Sequence, residues 1–110
     1  MLSKGEKGEK IAEKYLTSNG YRIVCKNFRS KMGEVDIIAE RDNDLYIIEV
    51  KYRSNKNFGY GFESITEKKK NAIINTAKYY IMKTDIKKRV RFDVISISPI
   101  FERKFLQTIL

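Results

Sequence analysis

GEVDIIAERDNDLYIIEVKYR, residues 33–53, sets two apolar runs on either side of a short polar segment. Each run has the length and β-branched content of a strand, and RDND between them is rich in turn formers, so the stretch predicts an antiparallel hairpin. Both strands belong in an interior, yet they carry Asp36, Glu49 and Lys51. Ionisable groups are rarely buried unless they are paired or bound to a metal. Side chains alternate along a strand, so Glu49 and Lys51 share one face while Tyr46, Ile48, Val50 and Tyr52 share the other. If the two strands pair, Asp36 comes within side-chain reach of Glu49, and two carboxylates and an ammonium gather in one place. Such a cluster suits Mg²⁺, which takes hard oxygen ligands and is held by one or two carboxylates together with substrate phosphate and water. A lysine beside it orients or deprotonates attacking water. An isolated Glu-x-Lys on a strand also reads as a solvent-facing ion pair, and Asp36 alone as a satisfied strand-end carboxylate. What favours a site is the combination of Asp36, twelve intervening residues and Glu-x-Lys, with apolar residues crowding each charge.

Outward from the hairpin, residues 4–18 place Ile11, Ala12, Tyr15 and Leu16 at helical spacing, and Ser18-Asn19-Gly20 supplies a stop with Gly20 at the C-cap. YRIVCKNF, residues 21–28, reads as the strand before the hairpin. After the glycine-containing NKNFGYGF, residues 55–62, a long helix over 64–83 aligns Ile65, Ala72, Ile73, Thr76, Ala77, Tyr80 and Ile81 on one face. RVRFDVISI, residues 89–97, is a less regular strand, and IFERKFLQTIL, residues 100–110, fits a final strand or a short helix equally well. The order is αβββαβ, a mixed α/β chain. With no repeat, no low-complexity tract and Pro99 as the only proline, residues 1–110 are expected to form a single domain.

Composition bounds the chemistry. A chain of 110 residues that is 42% hydrophobic and 12% aromatic can bury a core. No apolar run approaches the roughly 20 residues of a membrane span, and MLSKGEKGEK lacks the apolar stretch of a signal peptide, so the expectation is a cytoplasmic protein with no membrane partner. A single Cys25 and the absence of histidine exclude an internal disulfide, a Cys/His zinc site and a Ser-His triad. Any metal is held mainly by oxygen. With 23 Lys and Arg against 14 Asp and Glu, the net charge of +9 makes a phosphate-rich partner plausible without deciding it.

Several motifs in sequence order carry a resemblance. GEKIAEKYL (residues 8–16), NFRSKMGEVDIIA (27–39), IIEVKYR (47–53), FGYGFESITEKKK (58–70) and RFDVI (91–95) together resemble the YraN-like family of small bacterial proteins. That family is placed in the PD-(D/E)xK nuclease superfamily and related to archaeal Holliday-junction resolvases. Val35 stands where the superfamily's name has proline, a position that is not a ligand. The resemblance implies a restriction-endonuclease-like fold, a central mixed β-sheet flanked by helices. It implies Asp36 and Glu49 as metal ligands for Mg²⁺, with Mn²⁺ as substitute, Lys51 as the water-positioning or charge-stabilising group, and Glu9 as an outer ligand. From spacing alone, Glu9 reads instead as part of a solvated helix face among Glu6, Lys7, Lys10 and Glu13.

Arg29 and Arg53 flank the site in sequence and Lys69 matches the family's helical lysine; all three are candidates for contact with nucleic-acid phosphates, against a bland reading as surface charge. Lys68, Lys69, Lys70, Lys78, Lys83, Lys87, Lys88, Arg89 and Arg91 suggest a continuous basic surface. Phe58, Tyr60 and Phe62 are candidates for stacking on bases or for anchoring their loop. Cys25 reads as a small buried hydrophobe. The expected function is Mg²⁺-dependent hydrolysis of DNA phosphodiesters, with branched or structured DNA among the substrates. Two alternatives stay open, a non-catalytic nucleic-acid-binding or accessory module of the same fold and a structural protein with a buried ion-pair network. So does a homodimer.

Overall fold

A computed structural model of the chain describes residues 3–52, 65–98 and 103–108. Its elements run α1 (Lys4–Ser18), β1 (Arg22–Ser30), β2 (Gly33–Arg41), β3 (Asp44–Tyr52), α2 (Glu67–Thr84), β4 (Arg89–Ser98) and β5 (Arg103–Thr108). The five strands form one mixed sheet in the order β1-β2-β3-β4-β5. β1, β2 and β3 are antiparallel neighbours, β3 and β4 are parallel, and β5 returns antiparallel to β4. Parallel neighbours need a crossover, and α2 supplies it. The expected αβββαβ order holds, and the ambiguous tail adds a fifth strand.

One helix covers each face of the sheet. Ala12 and Leu16 of α1 pack on Ile37, Ala39, Tyr46, Ile48, Ile95 and Ile97, whereas Ile73, Ala77 and Tyr80 of α2 pack on Val35, Ile38, Leu45 and Ile47. Strands covered on both sides become apolar on both sides, which is why IIA and LYII read as unbroken apolar runs. Among the described residues no helix is long and apolar enough to cross a membrane.

The helix starts are set by side chains. Ser3 and Glu6 form a reciprocal cap on α1, each accepting the other's backbone N–H at 3.1 Å. Thr66 caps α2 by accepting the N–H of Lys69 at 3.1 Å, so α2 begins at Glu67, later than the expected residue 64. α1 ends at the C-cap Asn19, and Gly20, with φ +86°, takes the left-handed position just beyond it. The hairpin turn is tighter than RDND: Arg41 already pairs with Asp44, leaving Asp42, with φ 56°, and Asn43 as the turn.

Candidate functional site

The site is made where the β2–β3 ladder stops. Pairing proceeds from Arg41↔Asp44 to Ile37↔Ile48, and one more step would bring Asp36 opposite Glu49. There the carboxylates take over the backbone donors. Glu49 Oε1 accepts the N–H of Asp36 at 3.3 Å, and Asp36 Oδ2 accepts the N–H of Val50 at 2.8 Å. The expected approach of Asp36 and Glu49 is therefore found as a reciprocal clamp between neighbouring strands.

Simple alternation does not describe this end of β2. Val35 packs on the α2 side and Ile37 on the α1 side, although residues two apart on a regular strand share a face. The strand turns over at Asp36. On β1, Phe28 pairs with Val35 and Lys26 with Ile37, and Asn27 between them has φ 52°. The same irregularity thus runs through both strands, which is how β-bulges re-aim a side chain.

Asp36 faces a cavity of about 410 Å³ that, among the described residues, is lined by Gly5, Glu9, Asp36, Val50, Lys51 and Tyr52. Glu9 reaches it because α1 crosses the end of β3 at very short range. A Cβ on the buried Gly8 would lie 2.7 Å from the Cβ of Tyr52. Gly8 is the residue that residue-by-residue reading left without a role. Its signal was available: a glycine inside a helix costs about 1 kcal/mol relative to alanine and calls for a close approach.

Glu49 does not line that cavity. It is only 3% exposed, and its Oε2 lies 3.6 Å from Nζ of Lys69 on α2. Among the described residues it is Lys69, not Lys51, that forms an ion pair with Glu49. Burial first, and the neighbouring Asp36 charge second, push the Glu49 carboxyl up to about 7, with Lys69 and Lys51 opposing. Burial also raises Asp36, against the Val50 hydrogen bond, and Glu9 and Glu34 add to the rise. The nearby lysines thus offset only part of the cost of burial.

The other expected contacts fall elsewhere. Arg29 is exposed and bonded to Glu34 at 2.9 Å, outside the cavity. Arg53, Phe58, Tyr60 and Phe62 lie outside the described residues. Of the expected basic surface, Lys88 is held by Glu40 and Lys70 lies 3.7 Å from Glu67, while Arg89 grips Asp44 through two hydrogen bonds of 3.1 and 2.8 Å. Cys25 is half-buried against the α2 cluster.

The donor set suits a hard divalent cation. Two carboxylate side chains are what Mg²⁺ asks of a protein when water and substrate phosphate complete its shell. Among the described residues no three His, Cys, Asp or Glu side chains converge as a ready-made cage.

Comparison with known proteins gives the chain its relatives. A sequence profile described as "Uncharacterised protein family UPF0102" matches residues 8–97. A UPF0102 protein of Persephonella marina is 52% identical over 95 residues, covering 86% of this chain and 82% of the relative. One from Clostridioides difficile is 48% identical, covering 86% and 83%, and one from Legionella pneumophila is 44% identical, covering 86% and 81%. The match runs from Gly8 in α1, through the clamp of Asp36 and Glu49, to Ile97 in β4, and the chain belongs to the uncharacterised protein family UPF0102.

Proposed function

We propose that the chain is a divalent-metal-dependent endonuclease of restriction-endonuclease-like fold that hydrolyses phosphodiesters in DNA, with branched or otherwise structured DNA among the substrates. The reciprocal clamp of Asp36 and Glu49, with Lys51 and Glu9 on the adjoining cavity, is the observation that carries this reading. A structural role would not require a buried carboxylate, Glu49, beside a half-buried one, Asp36, whose charge raises its affinity for a proton.

Asp36 and Glu49 would hold the cation, Mg²⁺ or Mn²⁺, which would supply Lewis acidity toward the scissile phosphate and make water a better nucleophile. Lys51, on the cavity wall beside Asp36, positions the attacking water and offsets negative charge developing on the phosphate. Glu9 accepts a hydrogen bond from that water. The water oxygen forms the new bond to phosphorus as the ester P–O bond breaks, its proton passing to bulk solvent while solvent protonates the leaving oxygen. The net charge of +9 favours association with a polyanion.

A second reading, a non-catalytic accessory module of the same fold, draws on the Lys69 ion pair, which compensates Glu49 without any metal. Incubating the protein with linear, flapped and four-way DNA, with and without Mg²⁺ or Mn²⁺, separates the two. The nuclease reading expects metal-dependent cleavage of at least one substrate, abolished by chelator and reduced about 100-fold or more in Lys51→Ala. DNA binding without cleavage under every condition would favour the module.

A further inference from the structure

We propose that Lys69 is a built-in counter-ion for Glu49, which a divalent cation must displace. The inference rests on the metal site described under Proposed function and adds a positioning residue from outside the hairpin.

The geometry is that of a detachable contact. Nζ of Lys69 stands 3.6 Å from Oε2 of Glu49, longer than a charge-assisted hydrogen bond. The two partners are solvated very unequally, at 4% exposure for the Glu49 side chain and 43% for that of Lys69. Glu49 is fixed, since its other oxygen accepts the N–H of Asp36. The lysine stem can swing into water, where its ammonium is fully hydrated.

Nothing within α2 holds the ammonium in place. Lys69 lies in the first turn, where the helix dipole repels cations, and Lys68 and Lys70 flank it. Its backbone N–H is bonded to Thr66, so the base of the side chain stays fixed while the head moves. A cation on Glu49 would repel an ammonium at the same carboxylate, so the two occupants exclude each other. Lys51 does not share this position. It lines the cavity with Asp36 and Glu9, which leaves it available whichever cation Glu49 carries.

Calorimetric titration of the full chain with MnCl₂ alone, in the absence of DNA, tests the proposal. The proteins compared are wild type, Lys69→Met, Lys69→Gln and Lys69→Arg. Removing the competitor should tighten Mn²⁺ binding about fivefold in both neutral variants, while Lys69→Arg stays near wild type. A merely structural ion pair would lower the melting temperature of the neutral variants and leave metal affinity unchanged. Binding only in the neutral variants would support the proposal as well. Equal or weaker binding in the neutral variants, with wild type binding normally, would overturn the role of Lys69 and leave the nuclease reading standing. Absence of binding in all four proteins would overturn both.

Discussion

A carboxylate as enclosed as that of Glu49 must find its compensation inside the fold. Asp36 N–H and Lys69 supply part of it, yet the group still holds its proton up to about pH 7, against an ordinary value of 4.5. The sign of the consequence follows. Below 4.5 the group is protonated in both folded and unfolded chains, so its contribution is fully present. Between 4.5 and about 7 only the folded chain keeps the proton, and stability is lost as pH rises through that window. Urea denaturation of metal-free protein from about pH 5 to about pH 8 should show this as a loss of up to about 3 kcal/mol, absent in Glu49→Gln. Equal slopes in both proteins would place the source elsewhere. The meeting of Asp36 and Glu49 was legible because a short turn fixes register and strands alternate. Which backbone donors the carboxylates take, and that Lys69 rather than Lys51 pairs with Glu49, depends on tertiary approach that no local pattern records.

At the scale of elements, α1 and the turning-over of β2 bring the second half of the site into place. Gly8 lets α1 lie on Tyr52, which carries Glu9 to the cavity. Gly8→Ala should destabilise by about 1–3 kcal/mol through overpacking and also lower cleavage. Gly5→Ala, which would meet nothing nearer than Ser3 Oγ at 4.0 Å, is the matched control and should be neutral or slightly stabilising. Thermal denaturation of the two variants checks the contrast, and similar melting temperatures would remove the close approach from the account. Both helices were legible from 3.6-residue spacing, and the bounds of α1 agree with the expected 4–18. The irregularity at Asn27 and Asp36 was not, because neither residue is a glycine and the apolar run VDIIA conceals a change of face. The strand nature of β5 was equally hidden: its apolar residues suit either period, and pairing with β4 decides it.

Across the whole molecule, charge is distributed less simply than the count suggests. Arg22 and Lys88 converge on Glu40, Arg89 on Asp44 and Lys26 on Glu13, so several of the basic side chains are held by acids and the excess of +9 is carried by the others. Runs of lysine in sequence give the total but not these cross-strand partners, which come from distant segments. The acids at the end of the β2–β3 ladder stand apart from this surface pairing, Glu49 buried against Lys69 and Asp36 half-buried beside it, and the functional account rests on them. Asp36→Asn addresses it most directly, since the amide oxygen can still accept the Val50 N–H while one negative charge disappears. The decisive measurement is a set of four melting curves, wild type and Asp36→Asn, each with and without Mg²⁺. A metal site predicts that Mg²⁺ raises the melting temperature of wild type, that the metal-free mutant melts at or above metal-free wild type because repulsion with Glu49 is relieved, and that Mg²⁺ adds nothing to the mutant. A wild type indifferent to Mg²⁺, with a mutant that melts well below it, would contradict the account and leave Asp36 a structural carboxylate.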